Sequence, residues 1–317
     1  MRRRVFRGVA LLALVLAAPL AAQGAQLVIT VDDLPFVGAG LPVAEQARLT
    51  DSLLAAFRKY KVPAMGFVNE RRLEDSSGAV DPARVAMLQK WIRGGYELGN
   101  HTYSHPDLHA TPLADFEGDF LKGERVTRGL LAKAGKTPRF FRHPFLHTGQ
   151  SLAVHDSLLA FLALHRYRVA PVTMDNHDYI YAEAFHRARL AGDTALARRL
   201  QGAYLDYMES VVLYYEKQAR AIVGRAFPQV LLTHASALNA LTFPRLFQRL
   251  QRLGYTFVPL DKALDDPVYD LPDRYVGTGG ITWLHRWGMV LGLPASTYAG
   301  EPEVPAWVQQ AAARSRG

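Results

Sequence analysis

The chain has 317 residues, 49% of them hydrophobic and 21% charged, and no cysteine. Neither disulfides nor a thiol-linked lipid can hold or anchor it, so a hydrophobic core must do that work, and the length suffices for one. The formal charge of +8 overstates its basicity. Four of the 37 Lys and Arg precede residue 23, leaving 33 against 29 Asp and Glu, and these form no stripe interleaved with aromatics, which argues against nucleic-acid binding.

The first residues read as an export signal: a basic start at Arg2, Arg3, Arg4 and Arg7, an apolar run over Val9–Ala18, then small residues to Gln23. The apolar core, roughly 10–12 residues, is short of the ~20 that cross a bilayer. Cleavage near Ala22 would leave a protein of the periplasm or the extracellular space; an uncleaved N-terminal anchor is the alternative. No second segment reads as membrane-spanning.

Beyond the signal, short apolar or β-branched runs alternate with amphipathic ones, the pattern of β/α units. Strands are expected at Leu27–Val31, Ala64–Val68, Glu97–Gly99, Arg139–Phe141, Tyr167–Val172, Gln229–Thr233 and Thr256–Val258. Helices are expected at Val43–Tyr60, Pro82–Arg93, Leu113–Ala134, Leu152–Leu164 and near Pro244–Leu253. Residues 183–226 read as a two-helix insert broken at Gly192-Asp193, whose tyrosines suit packing better than a sugar-stacking wall. Residues 266–317 read as an extension wrapping the barrel.

The polar candidates share one phase. Asp32-Asp33, His101 and His105, Arg142, Asp175–Asp178 and His234 all fall at or just past expected strand ends, which gather at one mouth in a β/α barrel. Two histidines four residues apart can converge on a cation if the segment is helical or tightly turned, and a carboxylate from another strand would complete a facial set. Adjacent acids alternate sides of an extended chain, so one could bind metal while the other serves as base. Taken singly, a His pair or an Asp pair also suits a turn or a helix cap.

In order, these segments resemble the five motifs of the polysaccharide deacetylase family, also called the NodB-homology or carbohydrate esterase 4 family. They are Thr30-Val31-Asp32-Asp33-Leu34, His101-Thr102-Tyr103-Ser104-His105, Arg142-His143-Pro144-Phe145, Asp175-Asn176-His177-Asp178-Tyr179 and Leu232-Thr233-His234. The resemblance implies a distorted (β/α) barrel over residues 27–265. It makes Asp33, His101 and His105 the ligands of one divalent metal, zinc by preference. It makes Asp32 the general base and His234 the general acid, with Arg142 holding Asp32 ionised and Asp178 tuning His234. The Phe145 backbone N–H would help bind the oxyanion, and Pro144 and Tyr179 would line the substrate site.

The implied activity is metal-dependent hydrolysis of N-acetyl groups on an amino-sugar glycan: peptidoglycan, a chitooligosaccharide or an exopolysaccharide. Leu34-Pro35 replaces the usual glycine after the paired acids, and Phe145-Leu146 stands where Tyr-Gly is commoner, so substrate does not transfer with the family. Another amide, an acetyl ester or a cyclic imide remains the alternative substrate, and an inactive carbohydrate-binding barrel a remoter one. His109, His143, His147 and His177 lie outside the ligand positions and are expected to be supporting or surface histidines.

Overall fold

The computed structural model describes residues 24–38 and 40–313. The expected export signal lies outside the described residues. Strand β1 (Gln26–Val37) leads into α1 (Val43–Tyr60), β2 (Met65–Val68), α2 (Pro82–Arg93) and β3 (Glu97–Asn100). Next come α3 (Leu113–Lys122), α4 (Arg125–Lys133), β4 (Phe140–Phe141), α5 (Leu152–Leu164) and β5 (Arg168–Val169). The insert forms α6 (Asp178–Leu190) and α7 (Thr194–Val223), followed by β6 (Gln229–Ser236), α8 (Ala237–Arg252), β7 (Thr256–Phe257) and α9 (Leu260–Ala263). The tail carries α10 (Trp283–Val290) and α11 (Ala306–Ala313).

All strand pairs are parallel, in the order β5-β4-β3-β2-β1-β6, and β7 pairs with the first residues of β1. The curl closes where the chain after β5 reaches the other edge: Met174 bridges Leu231, and the Leu232 N–H donates to the Met174 carbonyl. This is the distorted barrel that the family resemblance implies, built of the β/α units that the alternation predicts.

Period-two alternation sorts the core. Leu27, Ile29 and Val31 join the large cluster under the helices, while Val28 joins Met65, Phe67, Phe140, Ala170 and Val230 in a separate cluster completed by Leu260, Ala263 and Leu264. Strands buried on both faces read as continuous apolar runs, as β1 does at its start. The second cluster is the inner layer of the barrel, and parity then decides the site. Asp32 follows Val28 by four residues, Arg142 follows Phe140 by two, and His234 follows Val230 by four, so all three continue inward-facing columns above it.

Several boundaries differ from the sequence reading. Strand β1 does not stop at Val31 but runs to Val37 with a register shift past Asp32, so the paired acids lie within it, as His234 lies within β6. The helix expected over Leu113–Ala134 is two, because Gly123 packs on the Thr102–Tyr103 backbone where a Cβ would come within 2.3 Å. Helix α8 starts at Ala237, capped by the Ser236 hydroxyl, and carries Pro244 inside it. Burial of Leu238, Phe243, Leu246, Phe247 and Leu250 outweighs the ~3 kcal/mol that an interior proline costs. The insert breaks at Gly192-Asp193 as expected, though its first helix begins at Asp178, and α11 packs on α6 and α10 on α7.

Candidate active site

Asp33 sits in left-handed backbone, at φ 64°, and this turns its carboxylate out of the strand alternation. The two acids therefore do not point to opposite faces, as an extended chain would require; both meet one cleft. An Asp33 oxygen and one ring nitrogen each of His101 and His105 lie within 4.8 Å of one another, while Asp32 Oδ2 is 4.0 Å from His101 Nε2. The segment between the histidines is not helical. Thr102 and His105 are both left-handed, and this tight turn makes the i, i+4 pair converge, with ring centroids 4.7 Å apart.

The donors are prepared for a cation. His101 Nδ1 lies 2.8 Å from the Arg142 carbonyl, which takes the N–H and leaves Nε2 as a lone pair. Burial drives both imidazoles toward the neutral form, with pKa values near 4; for His105 the neighbouring His101 adds to the effect. Burial alone would raise Asp33, but Arg72, 3.0 Å away, and the two histidines bring it to about 2. Asp33 Oδ1 is buried without a hydrogen-bond partner. Two neutral imidazoles and one ionised carboxylate with a free lone pair fit a divalent cation of the zinc class.

Asp32 is buried, and its Oδ1 also lacks a partner. Arg142, expected to hold it ionised, lies beside it without a hydrogen bond. Arg142 Nε stands 3.9 Å from Asp32 Oδ2, beyond hydrogen-bond reach, and its Nη2 donates instead to Thr30 Oγ1 at 2.9 Å. Burial outweighs the cation, and the Asp32 carboxyl is raised above its ordinary range. The guanidinium, itself fully buried, also lies over the Phe67 ring.

On the neighbouring strand His234 pairs in register with Asp32. Burial disfavours its charge, but Asp178, at 2.6 Å from Nδ1, more than offsets this and raises the imidazole to about 10. Sequence reading missed Asn239, whose amide donates to Asp178 Oδ2 and to the His234 carbonyl, and missed that Tyr204 donates to Asn239 at 2.6 Å. Tyr204 and Tyr181 are wholly buried, in keeping with the packing reading of the insert. Tyr179 is half-exposed, with its ring edge-on to His234.

Phe145 is also half-exposed and lies edge-on to His105 at 4.5 Å. Phe145 and Leu146 are consecutive left-handed residues at φ 55°, a costly arrangement for residues with a Cβ. The tail holds them there. Buried Arg286 donates to the Leu146 carbonyl and to Thr148 Oγ1, is paired with Asp273 at 2.6 Å, and lies against Trp283. Gly280 meets the Phe145 carbonyl so closely that a Cβ would come within 1.8 Å. No motif marks Arg72, Asn239 or Arg286 in the sequence. Of the remaining histidines, His143 is buried against Phe141, and His177 meets the Tyr207 hydroxyl, as supporting residues do.

Residues 21–159 match the polysaccharide deacetylase family model. Over that stretch the chain is similar to that family. The match takes in Asp32, Asp33, His101, His105, Arg142, Pro144 and Phe145, and stops before Asp178 and His234. A chitooligosaccharide deacetylase of Sinorhizobium fredii is 30% identical over 96 residues, 30% of this chain and 40% of that protein. A chitin deacetylase of Colletotrichum lindemuthianum is 27% identical over 124 residues, 39% of this chain and 43% of that protein. The chain thus spans less than half the length of these curated relatives. The solved structure of the Colletotrichum chitin deacetylase covers 80% of this chain and 92% of its own at TM-score 0.51 and 20% identity. A carbohydrate esterase family 4 pseudoenzyme from Bacillus anthracis covers 78% and 67% at TM-score 0.50 and 14% identity. These likenesses establish the fold.

Proposed function

We propose that this protein is an exported, zinc-dependent hydrolase that removes N-acetyl groups from an amino-sugar glycan. The observation that carries the reading is the convergence of Asp33, His101 and His105 beside an unpartnered buried Asp32, with the Asp178–His234 pair on the adjoining strand. A carboxyl and an imidazole both shifted upward beside a donor triad support a catalytic reading over an inactive barrel.

A divalent cation held by Asp33, His101 and His105 would act as Lewis acid toward the acetyl carbonyl and toward water. Asp32, on the side of the triad, accepts the proton as water attacks, and Arg142 opposes the burial that would otherwise neutralise it. His234 presents Nε2 to the cleft as an acid, its charge maintained by Asp178. An amine leaves poorly unless protonated, so an acid across from the base is what amide cleavage needs and ester cleavage needs less. The Phe145 N–H, on a loop clamped by Arg286, is assigned to the oxyanion, with Pro144 and the exposed Tyr179 bordering the substrate.

Among the described residues no helix is long and apolar enough to cross a membrane. The N-terminal signal pattern supports export, which would put the enzyme where acetylated glycans are found. The test is acetate release from chitooligosaccharides, peptidoglycan and acetylated exopolysaccharide by zinc-loaded protein. Equimolar acetate and new amine from at least one, lost with chelator, is the expected result. Hydrolysis of acetyl esters or simple amides with none of the three glycans would overturn it in favour of the alternative substrate class.

A further inference from the structure

We propose a second divalent-cation site at the rim of the cleft, formed by Asp107, His109 and His147. A ligand atom from each lies within 4.8 Å of the others, a limit the Asp33 triad also meets. Asp107 Oδ1 is 2.6 Å from His147 Nδ1 and accepts the His109 backbone N–H at 2.8 Å, so one carboxylate fixes both partners. The His109 and His147 rings stack in parallel at 3.8 Å.

His109 points to the ligand. Both of its ring nitrogens are shielded from solvent, and the Thr278 backbone beside the ring can take at most its one N–H. A neutral imidazole always has one lone pair to place, and burying it unpaired is costly. Asp107 and His147 remain partly exposed, leaving a path for an ion. A cation entering here displaces the proton shared by Asp107 and His147. Parallel stacked rings cannot both aim an in-plane lone pair at one ion, so His109 turns to add a third ligand. Two imidazoles and a carboxylate suit a borderline cation such as zinc, with further positions open to water.

The placement suggests what the ion does. Asp107 and His109 follow His105 on one loop, and His147 follows Phe145 on another, with Phe145 between His105 and His147 at 4.5 and 5.8 Å from their rings. A cation shared by the two loops would tie the rim residue Phe145 to the turn that carries His105. This role goes beyond the supporting one expected of His109 and His147, and it does not depend on the deacetylase reading.

The experiment is zinc stoichiometry of the full chain by equilibrium dialysis and elemental analysis. Wild type is expected to bind about two equivalents, His101→Ala about one, and His109→Ala/His147→Ala about one. In the His101→Ala background, zinc should shift the imidazole nitrogen resonances of His109 and His147. Circular dichroism confirms that each variant is folded, and Asp107→Asn with His109→Gln replaces the alanine pair if that fails to fold. A single wild-type equivalent that disappears in His101→Ala overturns the second site. A single equivalent that survives His101→Ala and disappears in His109→Ala/His147→Ala supports it and overturns the Asp33 triad instead.

Discussion

Asp178 grips His234 twice: Oδ1 lies 2.6 Å from Nδ1, and Oδ2 accepts the His234 backbone N–H at 2.8 Å. The pairing fixes both the proton and the direction of the imidazole. Asn239 and Tyr204 extend it into the insert, so a helix outside the family match helps to hold a group at the barrel mouth.

The pH dependence follows from this contact. His234 is raised from 6.5 to about 10, so it stays charged through neutral pH and loses its proton only in alkali. In Asp178→Asn the burial that lowers the imidazole remains and the charge that raises it is gone. The alkaline limb of kcat/KM should therefore move to lower pH by more than one unit, with the same metal loaded in both proteins. The pair's stability contribution is complete below pH 6.5 and is lost as pH rises through about 10, so the Tm gap between wild type and Asp178→Asn should be wider at pH 6 than at pH 10.5. An alkaline limb that stays in place would remove Asp178 from the mechanism.

Asp32 sets the opposite limb. Burial lifts it and Arg142 pulls it down, so Arg142→Met should push the acid limb to higher pH while leaving the alkaline limb near its place. A limb unmoved by that change would mean that another group titrates there.

Ligand and proton-transfer residues should separate cleanly. Asp33→Ala or His101→Ala should lose one equivalent of zinc together with activity, because a three-ligand site becomes incomplete. Asp32→Asn and His234→Ala should keep that zinc and lose roughly 10²–10⁴-fold in rate. Elemental analysis beside acetate-release kinetics decides both, and undiminished zinc in a folded His101→Ala whose rim site has been removed would defeat the ligand assignment.

Arg286 is the tail's contribution. Arg286→Met leaves the largely covered Asp273 with only His155 and the Tyr275 N–H as partners and should cost about 1–3 kcal/mol in urea unfolding. Removing both charges, as Arg286→Met with Asp273→Leu, should recover part of that. The rate should not recover with the stability, since the Leu146 carbonyl stays unheld and the Phe145 loop loose. Parallel recovery of rate and stability would reduce the tail to a structural role.

Among the aromatics, exposed Tyr179 and buried Tyr204 should behave differently. Tyr179→Ala is expected to raise KM for longer oligomers more than for short ones, as loss of a stacking face would. Tyr204→Phe removes a buried hydroxyl donor to Asn239 and should cost about 1–3 kcal/mol with equal effect on every substrate length. A length-dependent KM in Tyr204→Phe would contradict its burial.

The repeated β/α pattern, the boundaries of α1, α2 and α5 and the break between α6 and α7 were legible in the sequence, because each follows from apolar periodicity, caps and glycine within a few residues. So were the acids, histidines and Arg142 of the cleft, which occur in short motifs at strand ends. Direction and pairing were not legible. The left-handed backbone at Asp33, which brings both acids to one cleft, is set within a strand that runs on to Val37 beside β2 and β6. Whether burial or Arg142 governs Asp32 depends on a 3.9 Å gap between residues 110 positions apart. Arg72, Asn239, Tyr204 and Arg286 have no local signature, because each acts through a partner that only the closed barrel brings near: Arg286 holds the carbonyl of Leu146 from 140 residues away. Periodicity and propensity are short-range properties of a chain, whereas a hydrogen bond or ion pair inside a core exists only where packing has excluded water and brought distant segments together.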